Sequence, residues 1–477
     1  MFMKKIKGEY YTDILIIGGG AAGFGAANSA GRMVLDNNYD ISVTLIEKTG
    51  YLGGTSTYGG VNCWEPGVSG NGVHFEIADE LLKTKKAGIG GYEGVVCKER
   101  PYSLSVIHDE YRYEDTLKRL AVKDFNNLRR FHFEPDAMDE IMKRKLSEKN
   151  VKVLYNSEFT DFRLNGRNIE SVYIKINGEI INIKAKVFID CTGNIQIARA
   201  VGCKYMRGED SKDEFGEYLA PDEHSDTLNG ATLLFRAEKC VGHIDEIPEM
   251  YKKIYPEIEE WYKNYVESYR IYSQCNYYPN GDLNINMLPT MDGKEFFEYD
   301  KSNILNIMKT RLWYYLVWLQ KVTGFDYKMK YIFPYPSARE DYRLHGRYVL
   351  TEIDLRKGAA SQYKKEEIIA FADHDLDIHG KNNVNIASLP RLENPYGIPY
   401  SCLLPNEIDN MLVACRGSSF THIAASSCRL TRTMIATGEA AGSAAVLSIN
   451  KDVILKNINT EDIQEFCKIN LKKRKSF

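Results

Sequence analysis

The chain has 477 residues, 44% hydrophobic and 27% charged, with a formal net charge of −3 at pH 7. That length exceeds one comfortable core and predicts two domains or more, the composition excludes a disordered or fibrous protein, and the balanced charge supplies no field for gathering nucleic acid or an anionic membrane. The ten cysteines form no CxxC pair, so zinc ribbons, dithiol motifs and the usual iron–sulfur runs are excluded and no metal is expected.

Residues 13–17 are a short, β-branched apolar run and predict a strand. Gly18, Gly19, Gly20, Ala21, Ala22 and Gly23 follow at once and open a small-residue helix, giving strand, tight turn and helix in sequence. Gly18 permits the turn, Gly20 lets backbone N–H groups approach a pyrophosphate, and Gly23 lets the helix lie close on the strand. Residues 41–46 read as a second buried strand ending in Glu47 and Lys48, with the Glu47 carboxylate placed to accept hydrogen bonds from an adenosine ribose. A second glycine-rich, hydroxyl-bearing loop carries Gly53, Gly54, Thr55 and Ser56, then Gly60, Val61 and Asn62. Such a loop can follow the ribityl and isoalloxazine parts of FAD, for which a nicotinamide enzyme has little use; a plain surface loop is the alternative. Gly88, Gly90 and Gly94 lie outside any strand–turn–helix context, so no second dinucleotide fold is predicted.

Helical spacing over residues 135–149 leads into an apolar strand over 151–155. The Asn165-Gly166 and Asn177-Gly178 turns divide the next stretch into strands over 158–164, 169–176 and 179–185, an antiparallel meander with Phe159 as a candidate cofactor contact. A further strand over 187–190 runs into Cys191, Thr192, Gly193 and Asn194. Ligands are touched at such strand ends in doubly wound sheets, which makes Thr192 and Gly193 candidates as well.

Residues 205–394 lack dinucleotide signals, are rich in tyrosine and tryptophan, and predict an inserted substrate domain with helices over 259–272 and 302–319 and a strand over 282–288. Trp261, Tyr262, Tyr265, Tyr269 and Tyr272 read either as pocket lining or as a core-facing stripe. His379, on a predicted loop, is the first candidate acid or base. Arg339 and Arg343, near Glu340, are candidates for holding a substrate carboxylate or oxyanion, with a simple ion pair as the alternative. His422 is the other candidate proton carrier, against a structural role. A strand over 411–414, a polar turn containing Arg416 and a helix over 431–448 beginning beside Thr433 return to the dinucleotide chemistry. The positive end of that helix could face the flavin pyrimidine ring and favour the anionic reduced flavin; close packing alone would also explain its small residues. Lys472, Lys473, Arg474 and Lys475 read as a solvated tail. No apolar run suits a signal peptide or a bilayer span, which predicts a cytoplasmic protein.

In order, IIGGGAAGFGAA, LIEKTGYLGGTSTYGGVN, FEPDAMDEIM, VFIDCTGN, AREDYRLHGRYVLTEIDL, LDIHG, YGIPYSCLLP and NMLVACRGSSFTHIAASSCRLTRTMIATGEAAGSAA resemble the bacterial FAD-dependent oxidoreductase family related to fumarate-reductase-type flavoproteins. The resemblance spans most of the chain. It implies an α/β fold: a glutathione-reductase-like, Rossmann-type FAD domain with a parallel sheet and an antiparallel β-meander, built from residues 1–204 and 395–477, plus an inserted α+β substrate domain over 205–394. Two positions depart from the family pattern. Asn194 stands where relatives carry an aspartate after Thr-Gly, which weakens a polar contact near the flavin, and Cys415 stands where a glycine allows close approach. The expected activity is hydride exchange between flavin N5 and a small carboxylate, alcohol or sugar derivative, with a protein or another small molecule as electron partner and neither nucleic acid nor membrane as partner. A flavin monooxygenase, an RNA-modifying flavoprotein and a non-catalytic flavin-binding protein are the competing classes.

Overall fold

The structure, a computed structural model, describes residues 6–64, 72–90, 93–94, 130–252, 274–286, 290–298, 301–379 and 392–469. Its first unit is laid down by β1 (Ile6–Ile17), α1 (Ala21–Asn37), β2 (Val43–Ile46), α2 (Pro135–Ser147), β3 (Lys152–Leu154), β4 (Ser157–Asn165), β5 (Asn168–Ile176) and β6 (Glu179–Asp190). An inserted unit follows: β7 (Phe235–Lys239), β8 (Gln274–Tyr277), β9 (Leu283–Asn286), α3 (Lys301–Thr323) and β10 (Tyr327–Ile332). The chain then returns with β11 (Met411–Val413), α4 (His422–Cys428) and α5 (Thr431–Lys451).

The main sheet has seven strands in the order β3-β2-β1-β6-β5-β4, with β11 also paired to β6. The β1, β2, β3, β6 and β11 pairings are parallel, and β4 and β5 add antiparallel strands at one side. The expected third meander strand and the parallel strand after it are one element. No Gly or Pro interrupts Glu179–Asp190, and β1 pairs with it from Ile6↔Ile180 to Ile17↔Asp190, so its hydrogen bonding carries across the join. Opposite β1, the edge of β6 holds β5 over Glu179–Lys184 and then β11 over Phe188–Asp190. The same ladder explains why β1 begins at Ile6, seven positions before the apolar run that predicts it.

Both faces of this sheet are covered, as expected for a parallel sheet of near-continuous apolar strands. Ile14 and Ile16 face one core with α1 and α5, whereas Leu15 and Ile17 face another with Phe159, Ile174 and Phe188. The helix pair is unusually close. A Cβ on Gly438 would lie 1.9 Å from the Ala22 carbonyl oxygen and one on Gly442 2.1 Å from that of Ala26, so backbone touches backbone with no side chain between. Ser29 and Ser443 share a buried 2.8 Å hydrogen bond across the same contact.

The inserted unit has its own sheet, β10-β7-β9-β8 extended by Glu93–Gly94, and its own core, in which Phe235 and Ile285 pack against Met308, Leu312 and Leu316 of α3. The helix expected over 302–319 is longer, and the strand expected over 282–288 is Leu283–Asn286 among the described residues. The helix expected over 259–272, with its five aromatic residues, lies outside the described residues, as does the Lys472 to Lys475 run. Ile368–Ala372 and Tyr396–Pro399 pair antiparallel and share the core of Ile14 and Ile16. Among the described residues, no helix is long and apolar enough to cross a membrane.

Gly438→Val is expected to cost about 3 kcal/mol, at the upper end of overpacking penalties. The check is the urea midpoint, with Gly8→Ala as a control whose Cβ meets nothing within 4 Å and which should change stability by less than about 0.5 kcal/mol.

Candidate functional site

The glycine turn forms where β1 ends. Gly18 adopts φ +100°, and a Cβ there would lie 2.5 Å from the Cys191 carbonyl oxygen. Its neighbour Gly19 donates its N–H to Glu47 Oε2 at 2.7 Å, while Thr49 donates from N and Oγ1 to Glu47 Oε1 at 2.8 and 2.9 Å. The buried Glu47 therefore ties the turn to the end of β2 and retains lone pairs for a further donor. Gly53 donates to the Gly19 carbonyl at 2.8 Å and bridges Gly20, which brings the second glycine loop against the first. Gly20, the residue before α1, faces open space. Ala21 and Ala22 start α1, and Gly23 comes so near the turn that a Cβ would lie 1.8 Å from the Gly18 carbonyl oxygen.

At the end of β6, the fully buried Asp190 carboxylate gathers four donors: Thr192 N and Oγ1 at 3.0 and 2.7 Å, Ile197 N at 2.8 Å and Ala198 N at 3.0 Å. Burial pushes this carboxyl above its ordinary range, against the pull of those donors. The sequence reading missed Asp190; the available signal was an acidic residue closing an apolar strand just before Thr-Gly. Its anchoring sets Gly193 at φ +79°, with the Gly193 carbonyl accepting from Arg416 Nε at 3.1 Å. Cys415, the departure from the family pattern, is buried, and its Sγ accepts the Gly417 N–H at 3.3 Å. Burial drives this thiol up to about 12, so it acts as a turn acceptor and not as a nucleophile.

Around the crevice, Ser56 Oγ and Thr431 Oγ1 hydrogen bond at 3.2 Å, placing the second loop at the start of α5. Buried Thr433 has an Oγ1 with no partner. Lys48 donates to the Tyr335 hydroxyl at 2.9 Å, and the Thr55 carbonyl accepts from Val61 at 2.8 Å. Asn284 donates to the Gly60 carbonyl and to Asn62 Oδ1, each at 2.6 Å, stitching β9 of the inserted unit to the loop. Val61 packs on Leu234, Tyr278 and Phe333, and the Phe159 side chain lies in the core with Ile17 and Ile46.

A parallel sheet, a glycine turn leading into α1 and a carboxylate closing β2 define a Rossmann-type dinucleotide-binding fold. The family described as FAD dependent oxidoreductase matches residues 13–466, and the chain belongs to that family. It is an FAD-dependent oxidoreductase, and the open face at Gly20 together with the orphaned Thr433 hydroxyl fits that cofactor. Among solved structures, a geranylgeranyl bacteriochlorophyll reductase-like protein from Thermoplasma acidophilum is 13% identical, with 98% of this chain and 84% of that one covered at a TM-score of 0.47. A p-nitrophenol 4-monooxygenase from Pseudomonas putida is 8% identical, with 98% and 86% covered at 0.47. A flavoprotein/dehydrogenase from Cytophaga hutchinsonii is 13% identical, with 96% and 82% covered at 0.44. No curated protein matches the chain.

The candidate catalytic residues His379, Arg339, Arg343 and His422 meet in one hydrogen-bonded cluster. Asn229 is its hinge: its N and Nδ2 donate to Glu340 Oε2 at 3.1 and 2.8 Å, and its Oδ1 accepts from His379 N at 2.7 Å. Next to it, Gly230 N donates to the His379 carbonyl at 2.5 Å, and Arg339 donates to the Gly230 carbonyl at 2.9 Å and to Thr232 Oγ1 at 2.7 Å. Buried Arg343 spends its guanidinium on Glu340, on the Phe420 and Gly208 carbonyls at 3.0 and 2.8 Å, and on Asp210 at 3.0 and 2.9 Å. His422 holds Nδ1 2.8 Å from Glu340 Oε2 and donates its backbone N–H to Asp210 at 2.8 Å, while Nε2 has no partner. His379 Nε2 lies 2.7 Å from Asp377 Oδ1 in ion-pair contact without hydrogen-bond alignment, and Asp377 also meets Arg429 at 2.6 Å.

These surroundings drive the two imidazoles apart. Burial, aided by Arg339 and Arg429, pulls His379 down to about 4 despite Asp377. Burial also works against a charged His422, but Glu340 outweighs it and raises the pKa above the ordinary 6.5. Glu340 is held at about 2, because His422 and Arg343 overcome the opposing effect of burial. One histidine is thus neutral where the other is a cation. Beside His422 lies a cavity of about 90 Å³, bounded by Glu209, Asp210, Glu217, Ile378 and Ile423 as well. No sequence motif marks those three carboxylates, since the fold brings them there from a loop distant in sequence.

Because a Cβ on Gly20 meets nothing in the protein, Gly20→Val is expected to fold with the melting temperature of the wild-type apoprotein yet fail to retain FAD. Flavin absorbance of the purified variant, read beside its melting curve, checks both halves.

Proposed function

We propose that this enzyme exchanges a hydride with a small organic substrate in the cavity beside His422, and that His422 carries the accompanying proton. Its Nε2 carries this reading: it makes no hydrogen bond within the protein and belongs to a residue that lines the cavity, while Nδ1 is fixed on Glu340. FAD, when bound, supplies two-electron hydride exchange at N5. Gly20 admits its pyrophosphate, Glu47 offers acceptors to its ribose, and the start of α5 beside Ser56 and Thr433 serves its far end.

The residues around His422 prepare the proton step. Glu340 orients the ring and favours the imidazolium, Asp210 fixes the backbone at the start of α4, and Arg343 braces both carboxylates from behind. This is the arrangement of a general acid–base group whose base is held by a third residue. His379, the first candidate from sequence, sits behind this group; paired with Asp377 and linked through Asn229, it positions Glu340. Kinship to fumarate-reductase-type flavoproteins and an electron partner that is a protein or a second small molecule remain parts of the proposal, resting on the order of motifs and on the sequence's single dinucleotide motif; a cytoplasmic location is proposed from its apolar pattern.

The test is anaerobic bleaching of bound flavin by the substrate that a reductant screen selects. His422→Gln is expected to retain FAD and to bleach more slowly by about 10²–10⁴-fold, the usual contribution of an acid–base group; a wild-type rate removes His422 from the reaction. His422 must be neutral to take the substrate proton, and Glu340, helped by Glu209, raises its pKa above 6.5 against the opposing effects of burial and of Arg343. Bleaching by a reduced substrate should therefore accelerate as pH rises through that raised pKa, and His422→Gln should lose this limb of the profile.

A further inference from the structure

The cavity beside His422 offers acceptors in excess. Asp210 is already engaged at both oxygens, which receive Arg343 and the His422 N–H. Glu209 gives Oε2 to the Ser225 hydroxyl, and its Oε1 stands 4.0 Å from His422 Nε2. Glu217 receives Thr421 Oγ1 at 2.5 Å and Glu352 N at 2.6 Å, both on Oε1. Arg343, which reaches Asp210 and Glu340, has its guanidinium occupied throughout. The polar atoms left for a ligand are thus Glu209 Oε1, Glu217 Oε2 and His422 Nε2. His422 itself is only 3% exposed, so Nε2 cannot be satisfied by bulk water.

The 4.0 Å between Nε2 and Oε1 is too long for a direct hydrogen bond and leaves room for an atom that bonds to both. A hydroxyl there can donate to Glu209 and accept from His422 Nε2–H, or donate to the neutral ring. A second donor beside it reaches Glu217. Opposite these groups, Leu219, Pro221, Ile378 and Ile423 offer an apolar wall for a short carbon skeleton. A carboxylate or phosphate would instead bring an anion against the Glu209 carboxylate, while the charge of the His422 imidazolium is already countered by Glu340. We propose that the cavity takes a compact ligand bearing adjacent hydrogen-bond donors, a vicinal diol or amino alcohol, and rejects carboxylate and phosphate analogues. This deepens the functional reading above and rests on it for the cavity's role as a substrate site. Burial raises the Glu217 carboxyl to about 7, so a donor ligand that selects its ionised form should bind more tightly as pH rises through 7.

The experiment is calorimetry on the FAD-loaded protein with three probes on one carbon skeleton: vicinal propanediol, aminopropanol and lactate. Propanediol and aminopropanol are expected to bind, and lactate to bind more weakly than aminopropanol by about tenfold or more. Lactate binding as tightly as either, or no heat from either donor probe, overturns the proposal. Glu217→Gln and Glu209→Gln should each weaken aminopropanol by about tenfold while flavin absorbance and melting stay as in wild type; unchanged affinity in both overturns it. Ile423→Phe fills the cavity without touching a polar group and should abolish binding of both donor probes, whereas retained binding puts the ligand elsewhere and overturns the proposal. The two readings fail separately. If His422→Gln slows bleaching but lactate is the better ligand, the ligand class falls and the reaction stands; if the probes bind as expected but bleaching is unaffected, the reaction role falls and the ligand class stands.

Discussion

The backbone contact between α1 and α5 is the constraint from which the rest of the molecule follows. Ser29 and Ser443, 414 positions apart, are hydrogen-bonded across it, and a side chain at Gly25, Gly438 or Gly442 would overlap the opposing backbone. At such a distance dispersion and burial act along the whole length of both helices, and any enlargement pushes the pair apart. The contact also sets the cofactor crevice. The turn before α1 and the start of α5 lie together because the two helices pack, and the inserted unit with its separate core is carried in the sequence between them.

The candidate active site is built at a cost to stability. Arg343, Glu340, Asp210 and His422 are almost wholly buried, and burial of such charges repays its desolvation only when every hydrogen bond is made. Asn229, the Phe420 and Gly208 carbonyls and the His422 N–H supply that set, with His422 Nε2 the group left over. The two histidines then pull stability in opposite directions. His422, with its pKa raised, contributes stability that is full below the unfolded value of 6.5 and disappears as pH rises through its folded pKa. His379, lowered to about 4, contributes stability that is full above 6.5 and disappears as pH falls toward 4. Together they favour the fold most near 6.5, where one ring is charged and the other neutral. The same division of roles is what an acid–base site requires.

Local geometry explains which parts were legible. The Gly18 to Gly23 spacing and Glu47 announce themselves because the turn has no other solution: Gly18 needs φ +100°, and Gly23 has no room for a Cβ. The Asn-Gly pairs mark the meander because tight hairpins demand positive φ, which Asn177 and Gly178 both adopt. Other features depend on contacts distant in sequence. Nothing within Glu179–Asp190 states that β1 will pair along its whole length, so one strand reads as two. Arg343 and His422 could be chosen as chemically able residues, yet their neighbours Asp210, Glu209 and Glu217 come from a loop that no motif connects to them. At Asp190 the nearby Thr192 is visible in the sequence, but the other two donors, Ile197 and Ala198, are backbone groups with no sequence signature.

The second glycine loop links crevice and inserted unit more rigidly than its composition suggests. On one side a Cβ at Gly54 would lie 3.1 Å from the Cα of Gly20; on the other a Cβ at Gly60 would overlap the Phe333 ring at 2.4 Å. Asn284 fastens the same loop to β9 through Gly60 and Asn62. A shift of the inserted sheet would break two buried hydrogen bonds whose acceptors have no water to replace them. Registry between the cofactor crevice and the inserted unit is therefore held by short backbone and amide contacts together with the ion pair of Arg236 and Glu134 at 2.7 Å. Rigid placement of this kind is what hydride exchange needs, since its rate falls steeply when the reacting atoms are displaced by an ångström.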